Sequence, residues 1–136
     1  MESFLSFFVP GKPIGKGRPR FTRAGHTYTP AITALAEKRV AAIASDAMIE
    51  AQRKPRISRC SVHIIATWPV PKSWTKQRQA AALSNDEIPG KPDLDNIAKL
   101  ILDALNGVVY EDDVQVCMLT VTKLYGDTPG CAVIVR

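Results

Sequence analysis

The sequence predicts one small domain of mixed class, about four strands with two main helices. Three observations carry this. The chain has 136 residues, the size of one ordinary domain and too short to divide into two cores. Its apolar content of 46% and charged content of 23% are those of a folded globule rather than a disordered segment. Hydrophobic residues recur at a period of two in some stretches and of three to four in others, with Gly and Pro clusters between. The domain is taken as residues 1–136. No apolar run is long enough to span a bilayer, and the start Met1-Glu2-Ser3-Phe4-Leu5 lacks the basic residues and cleavage site of a signal peptide. A soluble cytoplasmic protein is expected.

Ser3 to Val9, rich in Phe and Val and closed by Pro10-Gly11, reads as a strand and turn. Pro10 to Gly25 then carries Lys12, Lys16, Arg18, Arg20 and Arg23 with no acid, among Pro13, Gly15, Gly17 and Pro19. Five charges equal the net +5 of the whole chain. So Gly- and Pro-rich a loop forms no regular helix, and it can track a phosphate backbone or be a solvated connector. Thr29 as N-cap and Pro30 as first residue open a helix whose core stripe is Ile32, Leu35, Ala36, Val40, Ile43 and Ala47. It ends near Gln52, ahead of Lys54-Pro55.

Arg59 to Trp68 alternates, with Val62, Ile64, Ala66 and Trp68 on one side, and reads as a half-buried strand. His63 within it is read as structural or surface. Lys72, Lys76 and Arg78 surround Trp74, a combination that suits nucleic acid, with packing of Trp74 onto the core as the alternative. A short helix follows from Gln77 to Leu83. Leu94 to Asn106 forms the second main helix, closed by Gly107, with Ile97, Leu100, Ile101, Ala104 and Leu105 buried and Asp95, Lys99 and Asp103 opposite. Val114 to Tyr125 is a long strand with Val116, Met118, Thr120 and Thr122 on one side. Gly126 to Gly130 makes a hairpin connection to a returning strand, Cys131 to Val135. Cys60, Cys117 and Cys131 lie in strand-like runs and are expected to be buried, reduced thiols.

Between Lys91 and Asp113 the sign of the protein inverts, with six acids against two bases. Carboxylates held close need a cation, a proton or water. Asp93 and Asp95, one residue apart at a helix start, can converge on a hard cation such as Mg²⁺ or Mn²⁺. A third carboxylate, from Asp112 or Asp113, has to return from beyond the helix. Lys99, one turn after Asp95, can steady it or reach a phosphate. The bland reading of the same residues is helix capping and ordinary ion pairs. An EF-hand is excluded, because its fifth, sixth and twelfth positions would be Ile97, Ala98 and Ala104.

Pro92-Asp93-Leu94-Asp95-Asn96, Lys99, Asp103-Ala104-Leu105-Asn106-Gly107 and Asp112-Asp113-Val114-Gln115-Val116 resemble the RusA family of Holliday junction resolvases, common in prophages. Gly11-Lys12-Pro13, Gly17-Arg18-Pro19-Arg20 and Thr122-Lys123 extend the resemblance over nearly the whole chain. It implies a small α+β domain, a mixed sheet packed with the two main helices, that dimerises and nicks four-way DNA junctions on opposing strands with Mg²⁺ or Mn²⁺. It also implies Asp93, Asp95 and Asp113 as metal-binding carboxylates, Lys99 as the essential lysine, and Asp112 as an assisting acid. The expected partners are branched DNA and a second copy, with no membrane and no small-molecule cofactor. Lys12, Lys16, Arg18, Arg20, Arg23, Lys72, Lys76 and Arg78 are the expected DNA contacts. The alternative is a non-catalytic junction-binding protein; an RNA-binding module is a third reading.

Overall fold

The computed structural model describes residues 3–17, 20–28 and 30–136, with the side chains of Arg20 and Tyr28 undescribed. The expected N-cap Thr29 and the expected contact Arg18 lie outside the described residues.

Strand β4 (Cys60–Pro69) is the spine. Its alternating Cys60, Val62, Ile64, Ala66 and Trp68 all bury their side chains, as the period of two predicts. A strand so apolar on one face needs neighbours along both edges to shield it. On one edge β6 (Gly130–Val135) runs antiparallel; on the other β5 (Val116–Gly126) runs parallel. Strand β1 (Leu5–Pro10) adds antiparallel to β6, so the mixed sheet has the order β1-β6-β4-β5. The expected hairpin between the last two strands is therefore wrong. Pro69 lies opposite Gly126 and Thr67 opposite Gly130, so the polar link 126–130 crosses the end of β4 instead of folding β5 onto β6. Turn-forming residues mark where a chain reverses, and say nothing of which strand it meets next.

The basic segment is not structureless. Arg20–Phe21 (β2) and Thr27–Tyr28 (β3) pair antiparallel as a small ribbon.

Helix α1 (Ala31–Glu50) buries Thr33, Val40, Ala44 and Met48, with Ala36, Ile43 and Ala47 packed beside them. Two members of the predicted stripe turn outward: Ile32 is 66% exposed and Leu35 67%. The helix is apolar on most of its circumference, so periodicity leaves the phase of its buried face ambiguous. Its end is a Schellman motif, with the Arg53 amide donating to Met48 O at 2.9 Å and the Gln52 amide to Ile49 O at 3.0 Å, Gln52 sitting at φ 55°.

Helix α2 (Lys76–Leu83) is capped by the Thr75 hydroxyl, which accepts from the Arg78 amide at 3.2 Å. Helix α3 (Leu94–Leu105) buries its whole predicted face, Ile97, Leu100, Ile101, Ala104 and Leu105, and Ala98 besides. Its C-cap is Asn106, one residue before the predicted Gly107. Helices α1 and α3 share one core with the inward side chains of β4, β6 and β1.

A 3₁₀ turn at Asp113–Gln115 delays the start of β5, and a register shift follows: Val116 lies opposite Cys60 but Met118 opposite Ser61. The extra residue, Cys117, separates Val116 from the face it was expected to share with Met118. Cys117 is also exposed, against expectation, because β5 is an edge strand; Cys60 and Cys131 are buried, and all three thiols are free. No helix among the described residues is long and apolar enough to cross a membrane.

Candidate metal and nucleic-acid site

Helix α3 starts on a segment clamped to the sheet. The Lys123 ammonium, from β5, donates to Gly90 O at 2.7 Å, and Trp68 Nε1, from β4, donates to Lys91 O at 3.4 Å. The parallel register sets Lys123 opposite Ala66, two residues from Trp68 on the same strand, and its cation stands 5.0 Å from the Trp68 ring centre. Asp93 follows at the N-cap position with extended backbone, yet its side chain makes no capping hydrogen bond. Asp95 lies in the first turn. Both are exposed, and neither enters an ion pair or side-chain hydrogen bond among the described residues. The positive end of the helix dipole faces them and any anion brought beside them.

The basic segment runs across this helix start and is locked there. The Lys16 amide donates to Asn96 O at 2.8 Å and the Gly17 amide to Thr33 Oγ1 at 3.0 Å, tying the strap to α3 and α1 together. Two glycines permit the approach. A Cβ on Gly15 would lie 2.6 Å from Pro92 Cβ, and one on Gly17 2.8 Å from Thr33 Oγ1. Between strap and helix start lies an open cavity of about 370 Å³, bordered by Lys12, Lys16, Lys91, Asp93 and Asn96.

Lys16, expected to contact DNA, is engaged within the chain. Its ammonium pairs with Glu37 of α1 and, at 3.1 Å, with Asp103 of α3, leaving the side chain 21% exposed. Burial works against its charge, and the hydrogen bonds and fields of the two carboxylates outweigh that, raising its pKa above the ordinary lysine value. Asp103 also takes Lys99, at 3.4 Å. Lys99 thus leans on Asp103, one turn onward, rather than steadying Asp95, the first of the two roles expected of it; it stays 63% exposed.

The third acidic group lies past the other end of α3. Asp112 is occupied in a capping box: its carboxylate accepts from the Val114 amide at 3.0 Å while Gln115 Oε1 accepts from the Asp112 amide at 3.0 Å. The half-buried Asp113 has its amide bound to Asn106 Oδ1 at 3.0 Å, and its carboxylate has no hydrogen-bond or ion-pair partner among the described residues. Beneath the turn Tyr110 is fully buried, its hydroxyl donating to Leu102 O at 2.7 Å. Burial first, then the charge of Asp113, raises its pKa far above the phenol range.

Among the described residues no three His, Cys, Asp or Glu side chains gather closely enough to hold a metal ion. Asp93 and Asp95 still suit a hard divalent cation: two unengaged oxygen donors at a helix start, beside an open basic cavity, match a Mg²⁺ site completed by water and substrate phosphate.

Of the remaining expected contacts, Lys12, Arg23, Lys72 and Lys76 are exposed. Arg78 is committed, its guanidinium 3.5 Å from the Trp74 ring centre and its Nε 2.8 Å from Glu87 Oε1. Trp74 meets Tyr125 in a T-shaped contact with ring centres 5.6 Å apart, and Arg78 covers one of its faces, so the ring packs within the fold. Lys91 and Lys123 were missed as site residues. Lys91 stood in plain view before Pro92-Asp93, whereas only the tertiary fold brings Lys123 to Gly90.

A family model described as Endodeoxyribonuclease RusA matches residues 10–136. An uncharacterized protein of Bacillus subtilis (strain 168), YqaN, is 34% identical over 141 residues, which span 97% of this chain and 95% of that protein. The motif around α3, the mixed four-stranded sheet and the extent of that match lead to one conclusion: the chain belongs to the RusA endodeoxyribonuclease family.

Proposed function

We propose that this protein is a Mg²⁺- or Mn²⁺-dependent endonuclease that resolves Holliday junctions and related branched DNA, acting as a homodimer that cuts opposing strands. The observation that carries the reading is the pair of unengaged carboxylates, Asp93 and Asp95, beside a cavity edged by Lys12 and Lys91. Those two residues would hold the metal; Asp113, carried on the turn past the other end of α3, is the third carboxylate of the proposed machinery. Bound there, it supplies a polarised water and offsets negative charge on the phosphoryl group. The chain's own residues do the rest. Lys12 and Lys91 position the phosphates on either side of the scissile bond, and the N-terminus of α3 adds its dipole. Lys99, steadied by Asp103, presents an exposed ammonium to the charge that builds during hydrolysis. Two such sites in a two-fold dimer match two cuts in a symmetric junction.

Asp93→Asn and Asp95→Asn each remove one carboxylate while keeping shape. Each variant is expected to shift a synthetic four-way junction in gels as the parent does. Cleavage with Mg²⁺ should slow by about a hundredfold or more. Undiminished cleavage would remove these residues from the site, and Asp113→Asn is the same test for the third carboxylate.

The rival is a junction-binding protein without catalysis, favoured by the absence of a three-carboxylate group among the described residues. It requires tight binding with no nicking by the parent chain at any Mg²⁺ or Mn²⁺ concentration.

A further inference from the structure

Arg53, Lys54, Arg56 and Arg59, between α1 and β4, form a second basic cluster outside the strap. The guanidinium carbons of Arg53 and Arg56 stand 5.0 and 5.1 Å from the centre of one ring, that of Phe4. Each side chain is also held at its inner nitrogen: Arg53 Nε donates to Phe4 O at 3.2 Å and Arg56 Nε to Arg59 O at 3.2 Å. Their terminal amino groups make no hydrogen bond or ion pair among the described residues. Glu50 lines, with Phe4 and Arg53, an open cavity of about 440 Å³, without pairing to Arg53.

Such an arrangement has a physical implication. Two positive charges gathered on one ring repel, within the range over which salt does not fully screen them. Ring stacking and the inner hydrogen bonds offset part of that. Backbone phosphates met by the two guanidinium groups would offset that repulsion, and the guanidinium fork matches phosphate geometry.

The cluster is also stitched to the acidic turn. The Arg56 amide donates to Val109 O at 2.8 Å, and the Glu111 amide to Arg56 O at 3.2 Å. Gln115 Nε2 donates to Arg56 O at 2.7 Å and Ser58 O at 2.8 Å while its Oε1 caps the Asp112 amide. Arg56 and the turn that carries Asp113 therefore form one rigid unit. Lys12 and Lys91 flank the other end of α3, at Asp93.

We propose that Arg53 and Arg56, presented on Phe4, form a second phosphate clamp that holds the DNA backbone on the Asp113 side of the protein. This rests on the DNA-binding reading above, and it assigns a contact separate from the basic strap.

The test is fluorescence anisotropy of a labelled four-way junction in EDTA across a KCl series, with parent, R53Q/R56Q and R53K/R56K chains. R53Q/R56Q should bind roughly tenfold more weakly and lower the slope of log affinity against log salt by about 1.8, two contacts at about 0.9 each. R53K/R56K, which keeps charge but loses the planar fork, should keep the parental slope with weaker binding. Should R53Q/R56Q fail to fold by circular dichroism, Arg53→Gln alone, at an exposed position, should lower the slope by about 0.9. A folded R53Q/R56Q with parental affinity and slope would overturn the clamp and leave the DNA reading intact. A parent chain that binds no DNA would overturn both.

Discussion

Asp103 accepts two lysines from different parts of the chain, Lys16 at 3.1 Å and Lys99 at 3.4 Å. The four-residue interval from Lys99 to Asp103 is legible on any helix. Lys16 is not, because its partners Glu37 and Asp103 are remote in sequence. Its titration gives a prediction. The folded pKa is raised, so the stability it contributes is fully present below the unfolded value of 10.5 and is lost as pH rises through the higher folded value. The melting temperature of the parent should therefore fall more steeply above about pH 10.5 than that of Lys16→Met, compared over the same pH series. Parallel curves would mean that the ion pairs add no stability. Asp93 and Asp95 lie at the opposite extreme: their place at a helix start was readable from six consecutive residues.

At the scale of elements, the strap and α3 form a lock whose close contacts are at glycine. Gly15→Ala would set a methyl carbon 2.6 Å from Pro92 Cβ and 2.9 Å from Asn96 Cβ, atoms fixed to the backbone with no rotamer to yield. It should destabilise by about 1–3 kcal/mol in urea titration. Junction binding should weaken along with it as the strap lifts from Lys91 and Asp93; unchanged binding would separate the strap's docking from DNA recognition. Leu100, 2% exposed on the same helix, tests the core beneath. Leu100→Ala should cost about 2–5 kcal/mol by the same measurement. The α3 face was legible because its apolar residues are confined to one stripe. The α1 face was not, since alanines and aliphatics on most sides left Ile32 and Leu35 equally eligible for burial.

For the molecule as a whole, the proposed dimer makes a claim about paired cuts. Mixed dimers of one parent and one Asp95→Asn subunit should nick a cruciform plasmid in one strand and leave open circles, whereas parental dimers linearise it. Linear product from mixed dimers at the parental rate would show that one site suffices for both cuts. Sedimentation at assay concentration would check that the active species is the dimer.

The sequence by itself determined the helices and the four strands of the main sheet, the inward faces of β4 and α3, the acidic helix start and the family likeness, because periodicity and capping are written in neighbouring residues. Tertiary structure alone decided the strand order, the burial of Lys16 between two helices, the clamp of Lys123 on Gly90, and the arginine pair over Phe4. These join residues tens of positions apart. Local pattern states which face of an element is buried; which distant element meets it is settled by register and packing, and the hairpin predicted between β5 and β6 failed for that reason: β4, needing cover on both edges, came between them.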